Sequence, residues 1–166
     1  LPRTEGISST MLRGEKQKRT RVGIVGCGLI AKRFVPEAAF VSGVEITGVY
    51  DIDQNVGREF VKQKNLANNY ASFDEMLHDV DAVYVATPHL SHYQYSKRAI
   101  TAGKHVLCEI PLVLEKEQAE ELYSLADEKG VILMEANKTA HCPAFNHLMV
   151  MIKSGAIGEV VDIEAS

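Results

Sequence analysis

The chain has 166 residues, 46% hydrophobic and 24% charged, with 18 Lys and Arg against 22 Asp and Glu and a net charge of −4. That is enough to bury one sizeable core, and the acidic balance gives no reason to expect a nucleic acid or an anionic membrane as partner. No apolar run approaches the roughly 18–20 residues that span a bilayer, no apolar stretch near the N-terminus marks a secretory signal, and three cysteines (Cys27, Cys108, Cys142) make no even framework, so free thiols in a reducing cytoplasm are expected.

Residues 1–20 are polar, aperiodic and basic, with Arg13, Lys16, Lys18 and Arg19, and are expected to form a flexible tail. A buried strand over 22–26 then runs into Gly26-Cys27-Gly28-Leu29-Ile30-Ala31, the pattern G-x-G-x-x-A, and a helix over 29–41. A turn of this kind gathers backbone N–H groups at a helix N-terminus, where the dipole favours an anion. Gly26 permits the tight turn, Gly28 lets the backbone approach a pyrophosphate, and Ala31 lets helix and strand pack closely.

A second strand over 44–50 ends at Asp51, 20 residues beyond Ala31, about where a carboxylate accepts from the adenine-ribose diol of a dinucleotide. An acid there repels a 2′-phosphate, which favours NAD over NADP. The bland alternative is that Asp51 and Asp53 merely begin the next turn, and Lys32 and Arg33, one helical turn on, could receive a phosphate. A helix over 54–65 follows, then a short helix opened by Ser72-Phe73-Asp74-Glu75, a capping-box pattern.

The strand over 81–86 is halted by Thr87-Pro88; Ser91 is placed to cap the next helix and Gly103 to end it. A strand over 105–109, a helix over 115–129 closed by Gly130, a strand over 131–135 and a helix over 143–154 complete the alternation, which predicts an α/β, doubly wound parallel sheet. Ligands of such sheets sit outside the carboxyl ends of the strands. Gly26–Ile30, Asp51, Thr87–His92, Glu109–Pro111 and Ala136–His141 fall there; Lys104 and His105 fall at the opposite end. His141, Cys142 and His147 match no strong zinc spacing, so no metal is expected.

Four stretches together resemble the N-terminal domain of the glucose–fructose oxidoreductase / inositol dehydrogenase (Gfo/Idh/MocA) family. They are Gly23–Ala31, Ala86-Thr87-Pro88-His89-Leu90-Ser91-His92, the run Ala102-Gly103-Lys104-His105-Val106-Leu107-Cys108-Glu109-Ile110-Pro111, and Gly155-Ala156-Ile157-Gly158-Glu159-Val160. Met134-Glu135-Ala136 with Thr139 and Pro143 resembles, more loosely, the trans-dihydrodiol dehydrogenase branch. The resemblance implies a Rossmann domain over 21–150 and NAD(P)-dependent hydride transfer with a small molecule, namely a sugar, polyol or related hydroxy or carbonyl compound. By the same resemblance Gly26, Gly28, Leu29 and Ile30 would hold the pyrophosphate and Asp51 the adenosine ribose. Thr87, Pro88 and His92 would line the coenzyme groove, and Glu109 would lie near the nicotinamide ribose, with Asn137 at the same edge of the next strand.

Two departures qualify this. The family's Glu-Lys-Pro is here Glu109-Ile110-Pro111, and isoleucine can neither donate a proton nor stabilise charge. Losing a positioned acid–base group typically removes ~10²–10⁴-fold of rate. The catalytic residue is therefore unassigned, Lys138 and His141 are candidates to replace it, and a non-catalytic dinucleotide-binding module is the alternative. A site for another nucleotide-bearing ligand such as S-adenosylmethionine also fits G-x-G-x-x-A. The second departure is length: residues 151–166 read as a linker and, over 159–164, the first strand of a truncated C-terminal domain. Such a strand would expose an edge; it would pair with another copy to give a homo-oligomer, fray, or belong to a longer chain.

Overall fold

The computed structural model describes residues 19–164. The expected basic tail lies outside these except at its end, where Thr20 already pairs with Val44 as the first residue of β1. The elements are β1 (Thr20–Val25), α1 (Leu29–Ala38), β2 (Val44–Tyr50), α2 (Gln54–Lys64), β3 (Asn68–Asn69), α3 (Phe73–Asp79) and β4 (Ala82–Val85). They continue with a 3-10 turn (His89–Ser91), α4 (His92–Thr101), β5 (His105–Cys108), α5 (Lys116–Lys129), β6 (Leu133–Glu135), a second 3-10 turn (Thr139–His141) and α6 (Pro143–Lys153).

Six parallel strands form one sheet in the order β3-β2-β1-β4-β5-β6. The order in which successive strands are added reverses between β1 and β4, and the crevice outside their carboxyl ends is where such sheets take ligands. Because side chains alternate in direction along a strand, both sheet faces carry apolar residues. Val25, Val83, Val85 and Val106 pack under Phe73, Met76, Ile100 and Leu122 of α3, α4 and α5. Ile24, Val49 and Tyr84 pack with Ala31 and Phe60 of α1 and α2. Gly23 makes this possible on the α3 side: a Cβ there would sit 2.7 Å from the sulfur of Met76.

Several sequence expectations are corrected. α1 stops at Ala38, three residues before 41: beyond it the Phe40 and Val41 N–H groups bond only three residues back, to the Glu37 and Ala38 carbonyls, and the α-helical ladder ends. β3 carries no apolar pattern; its two asparagines are held as a strand by pairing with Gly48 and Val49 and by an Asn68 side-chain N–H donated to the Thr47 carbonyl at 2.9 Å. Ser72 caps α3 by accepting from the Glu75 N–H at 3.1 Å, but Glu75 reaches back to the N–H of Ala71 rather than of Ser72. β6 begins two residues late because Val131 bonds back to Ala126 at the end of α5.

Ser91 precedes α4 without capping it. Its backbone is already helical, and its hydroxyl lies 2.8 Å from the Thr87 hydroxyl and 2.7 Å from the Pro88 carbonyl. Residues 159–164 form no strand. A strand needs a neighbour for its N–H and C=O groups, and among the described residues none lies beside it; Val161 is 92% exposed. α6 likewise buries none of its residues.

Candidate functional site

The β1–α1 turn is built by the two glycines for different reasons. Gly26 has φ +90°, and a Cβ there would sit 2.6 Å from the Ala86 carbonyl oxygen, so β4 closes that side of the turn. Gly28 is the N-cap of α1, and a Cβ there would meet nothing within 4 Å. The cap supplies no side-chain acceptor, and the first turn of the helix carries no acid. The opening N–H groups of α1 thus have no side-chain acceptor at the cap, the condition in which a helix N-terminus can receive an anion. Leu29 and Ile30 are exposed beside it.

Asp51 is locked against this turn. The Cys27 N–H donates to one carboxylate oxygen at 2.8 Å, and the Asp53 N–H donates to the other at 2.9 Å. Each oxygen keeps further acceptor capacity. Asp53 does begin the next helix, accepting from the Asn55 N–H at 2.9 Å, so the turn-forming reading holds for Asp53 while Asp51 points at the glycine loop. Gly26, Asp51 and Ile52 face Thr87, Pro88 and Tyr95 across a groove of about 360 Å³. No Lys, Arg or His lines it among the described residues. Lys32 and Arg33 both lie elsewhere, Lys32 in a small recess beside α2 and Arg33 in a second cleft.

His92 does not line the groove. It is fully buried, with Nδ1 2.8 Å from the Pro111 carbonyl oxygen and Nε2 2.7 Å from that of Thr87. Its ring braces the loops after β4 and β5 from behind, because as the first residue of α4 its side chain points back into the sheet's carboxyl edge.

The remaining candidates form a second cluster. A cleft of about 310 Å³ lies between α1 and the β4–β6 half of the sheet, and Ile30, Glu109, Asn137, Lys138 and His141 line it. Tyr84, read from sequence only as a core strand residue, forms its floor, stacked on Phe34 of α1 with ring centroids 3.9 Å apart. The Tyr84 hydroxyl donates to Glu109 Oε1 at 2.5 Å. Burial, reinforced by this bond to a carboxylate, pushes the phenol far above its ordinary pKa.

The loop after β5 is tied down further: the Leu112 N–H donates to Glu135 Oε1 at 2.8 Å. Ile110, 51% exposed, projects from this loop, and the Ile110–Pro111 bond is cis. Lys138 pairs with Glu37 at 3.4 Å, but both side chains are exposed, so the pair contributes little. Asn137 Oδ1 accepts from the Ala140 N–H at 3.4 Å.

None of the three thiols is in a disulfide. Burial, then the neighbouring Asp51 carboxylate, pushes the Cys27 thiol up to about 12; burial pushes that of Cys108 up to about 12. Cys142 is partly exposed and caps α6, accepting from the Phe145 N–H. Among the described residues no three His, Cys, Asp or Glu side chains gather as a metal site, and no helix is long and apolar enough to cross a membrane.

A sheet of this order with an open glycine turn at its first strand defines the dinucleotide-binding class of α/β domains. Comparison with known proteins narrows it: the oxidoreductase family with an NAD-binding Rossmann fold, Gfo/Idh/MocA, matches residues 20–137, and the chain belongs to that family. It is 36% identical over 130 residues to scyllo-inositol 2-dehydrogenase (NADP(+)) of Bacillus subtilis, covering 77% of this chain and 40% of that enzyme. To trans-1,2-dihydrobenzene-1,2-diol dehydrogenase of Mus musculus it is 33% identical over 144 residues, covering 84% and 43%. Among solved structures, GenD2 from gentamicin A biosynthesis, in complex with NAD, superposes with a TM-score of 0.78 at 29% identity, covering 87% and 42%. The chain thus spans less than half the length of each of these relatives.

Proposed function

We propose that this chain is the coenzyme-binding part of an NAD-dependent oxidoreductase acting on a sugar, a polyol or a related hydroxy or carbonyl compound. The observation that carries this is one groove, at the point where strand order reverses, that unites Gly26, Asp51, Thr87 and Pro88 beside the uncapped start of α1. In this reading the N–H groups of Gly28, Leu29 and Ile30 receive the pyrophosphate. Asp51, already oriented by two backbone donors, accepts from the adenosine ribose. Glu109 and Asn137 face the nicotinamide end. A nicotinamide coenzyme bound there supplies the hydride acceptor or donor.

The preference for NAD rests on charge. A 2′-phosphate would meet the Asp51 carboxylate, and among the described residues no cation lines the groove to offset it. The relatives include proteins named with NADP and seen with NAD, so the family allows either. Titration of the chain with NADH, NADPH and S-adenosylmethionine, followed by nicotinamide fluorescence or calorimetry, tests the reading. NADH is expected to bind most tightly; tighter S-adenosylmethionine binding would overturn it.

Proton transfer falls to a residue other than Ile110. Lys138 and His141, in the cleft with Glu109, are the candidates, and the exposed Lys138–Glu37 pair is weak enough to release the amine. The isoleucine at position 110, which can neither give nor take a proton, is the reason to keep one other reading, a dinucleotide-binding module without catalysis. A hydride-transfer assay of the full protein over a panel of sugars and polyols separates the two. A cytoplasmic location and assembly as a homo-oligomer belong to the same proposal.

A further inference from the structure

We infer that Tyr84 is a positioning residue that holds Glu109 for the nicotinamide end of the coenzyme, an inference that rests on the coenzyme reading above. Glu109 lies one residue past β5, and its own N–H continues the ladder by donating to the Val85 carbonyl at 2.9 Å. The backbone is therefore fixed while the side chain, on a rim of open cleft, would otherwise sample several rotamers. Tyr84 removes that freedom. Its ring is 2% exposed and stacked on Phe34, so the hydroxyl has one place to point, and Glu109 Oε1 is there at 2.5 Å.

The geometry divides the carboxylate into two halves. Oε1 is taken by Tyr84, while Oε2 has no protein partner among the described residues, and Glu109 lines the same cleft as Ile30 and Asn137. One oxygen is thus anchored and one is left to accept from a ligand hydroxyl. The anchor also ties the site together across elements. Phe34 sits on α1, the helix whose N-terminus forms the phosphate cradle, and Tyr84 on the central strand β4. Glu109 sits on the loop that Glu135 and His92 fix from β6 and α4. A charge held in this way neither swings toward the phosphate end nor loses its orientation when the cleft fills. Because burial keeps the phenol protonated, it remains a donor throughout the ordinary pH range.

A buried tyrosine hydroxyl finds some partner in any fold, so the test must separate positioning from packing. The full chain carrying Tyr84→Phe, Glu109→Ala, or both is titrated with NADH and, separately, with ADP, which lacks the nicotinamide ribose. Tyr84→Phe retains the ring stack and is expected to melt near wild type. It is expected to weaken NADH about three- to tenfold, the range for one charge-assisted hydrogen bond partly replaced by water, and to leave ADP within about twofold. In the Glu109→Ala background it should have no further effect on NADH. Glu109→Asp, too short to reach the phenol, should behave like Tyr84→Phe. Unchanged NADH affinity in Tyr84→Phe, equal losses for NADH and ADP, or additive losses in the double variant would each overturn the role of Tyr84 while leaving the coenzyme reading intact. Failure of wild type to bind either probe overturns both.

Discussion

The two glycines of the first turn offer a direct separation of folding from binding. At Gly28 the backbone has φ −72° and ψ −172°, a conformation any residue adopts, and an added Cβ meets no protein atom within 4 Å. Replacing glycine by alanine in a compatible conformation stabilises a fold by about 0.4–1 kcal/mol through the unfolded chain. Alanine is a poorer N-cap than glycine by roughly 0.5 kcal/mol. These offset, so Gly28→Ala should leave the melting temperature within about 2 °C of wild type. The same methyl occupies the cradle in front of α1, keeps the pyrophosphate off the opening N–H groups, and should weaken NADH at least about tenfold, the equivalent of about 1.4 kcal/mol.

Gly26→Ala is the opposite case. Its φ of +90° costs a side chain about 1–2 kcal/mol, and the Cβ would lie 2.6 Å from the Ala86 oxygen, which forces β4 or the turn to move. A loss of about 2–4 kcal/mol in stability is expected from the two together. Thermal or urea denaturation alongside NADH titration reads both variants. If Gly28→Ala melted well below wild type, or bound NADH as well as wild type, the assignment of that open space to a ligand phosphate would be wrong.

Asp51→Ala should weaken NADH by about ten- to a hundredfold, as expected for losing hydrogen bonds to a charged acceptor. NADPH should lose less, because removing the carboxylate also removes repulsion from the 2′-phosphate; equal losses measured by titration would argue against a ribose contact. Ile110→Lys should leave NADH affinity within about twofold, since the half-exposed side chain lines neither the groove nor the cleft; a large drop would misplace that residue. Of the three thiols, Cys142 should react with a disulfide reagent at pH 8 in the native protein, while Cys27 and Cys108 react only after unfolding; three fast equivalents would contradict their burial. The same two thiols contribute a pH dependence. Their folded values are raised from 9 to about 12, so this stability is fully present below about pH 9 and is lost as pH rises towards 12, where unfolded thiols ionise first. Replacing Cys27 by Ala should flatten that alkaline limb in denaturation measured across pH 8–11.

The order of strands and helices was legible because buried parallel strands read as short apolar runs, because caps such as Gly130 and Ser72 act through bonds spanning a few residues, and because Pro143 suits a first helical position by its fixed φ. The same locality made the glycine turn and Asp51 readable: the first depends on φ and on a missing side chain, the second on a fixed spacing within one β-α-β unit. β3 was not legible, since Asn68 and Asn69 become a strand only through Thr47, Gly48 and Val49, some 20 residues earlier. Ser91 had the right identity for a cap, but the 3-10 turn before it turned its oxygen toward Thr87 and Pro88 instead.

Sequence by itself thus determined the fold class, the glycine turn and the position of the acid that ends β2, which rest on local patterns and on one fixed spacing within a β-α-β unit. Only the tertiary structure decided that the candidates split between two cavities, that His92 braces loops from behind, and that Tyr84, indistinguishable from any core aromatic in its strand, holds Glu109. Those outcomes depend on pairs 19 to 25 residues apart, brought together by the sheet. A side chain's partner at such separation is set by which strands lie side by side and which way each faces, and no local pattern records that.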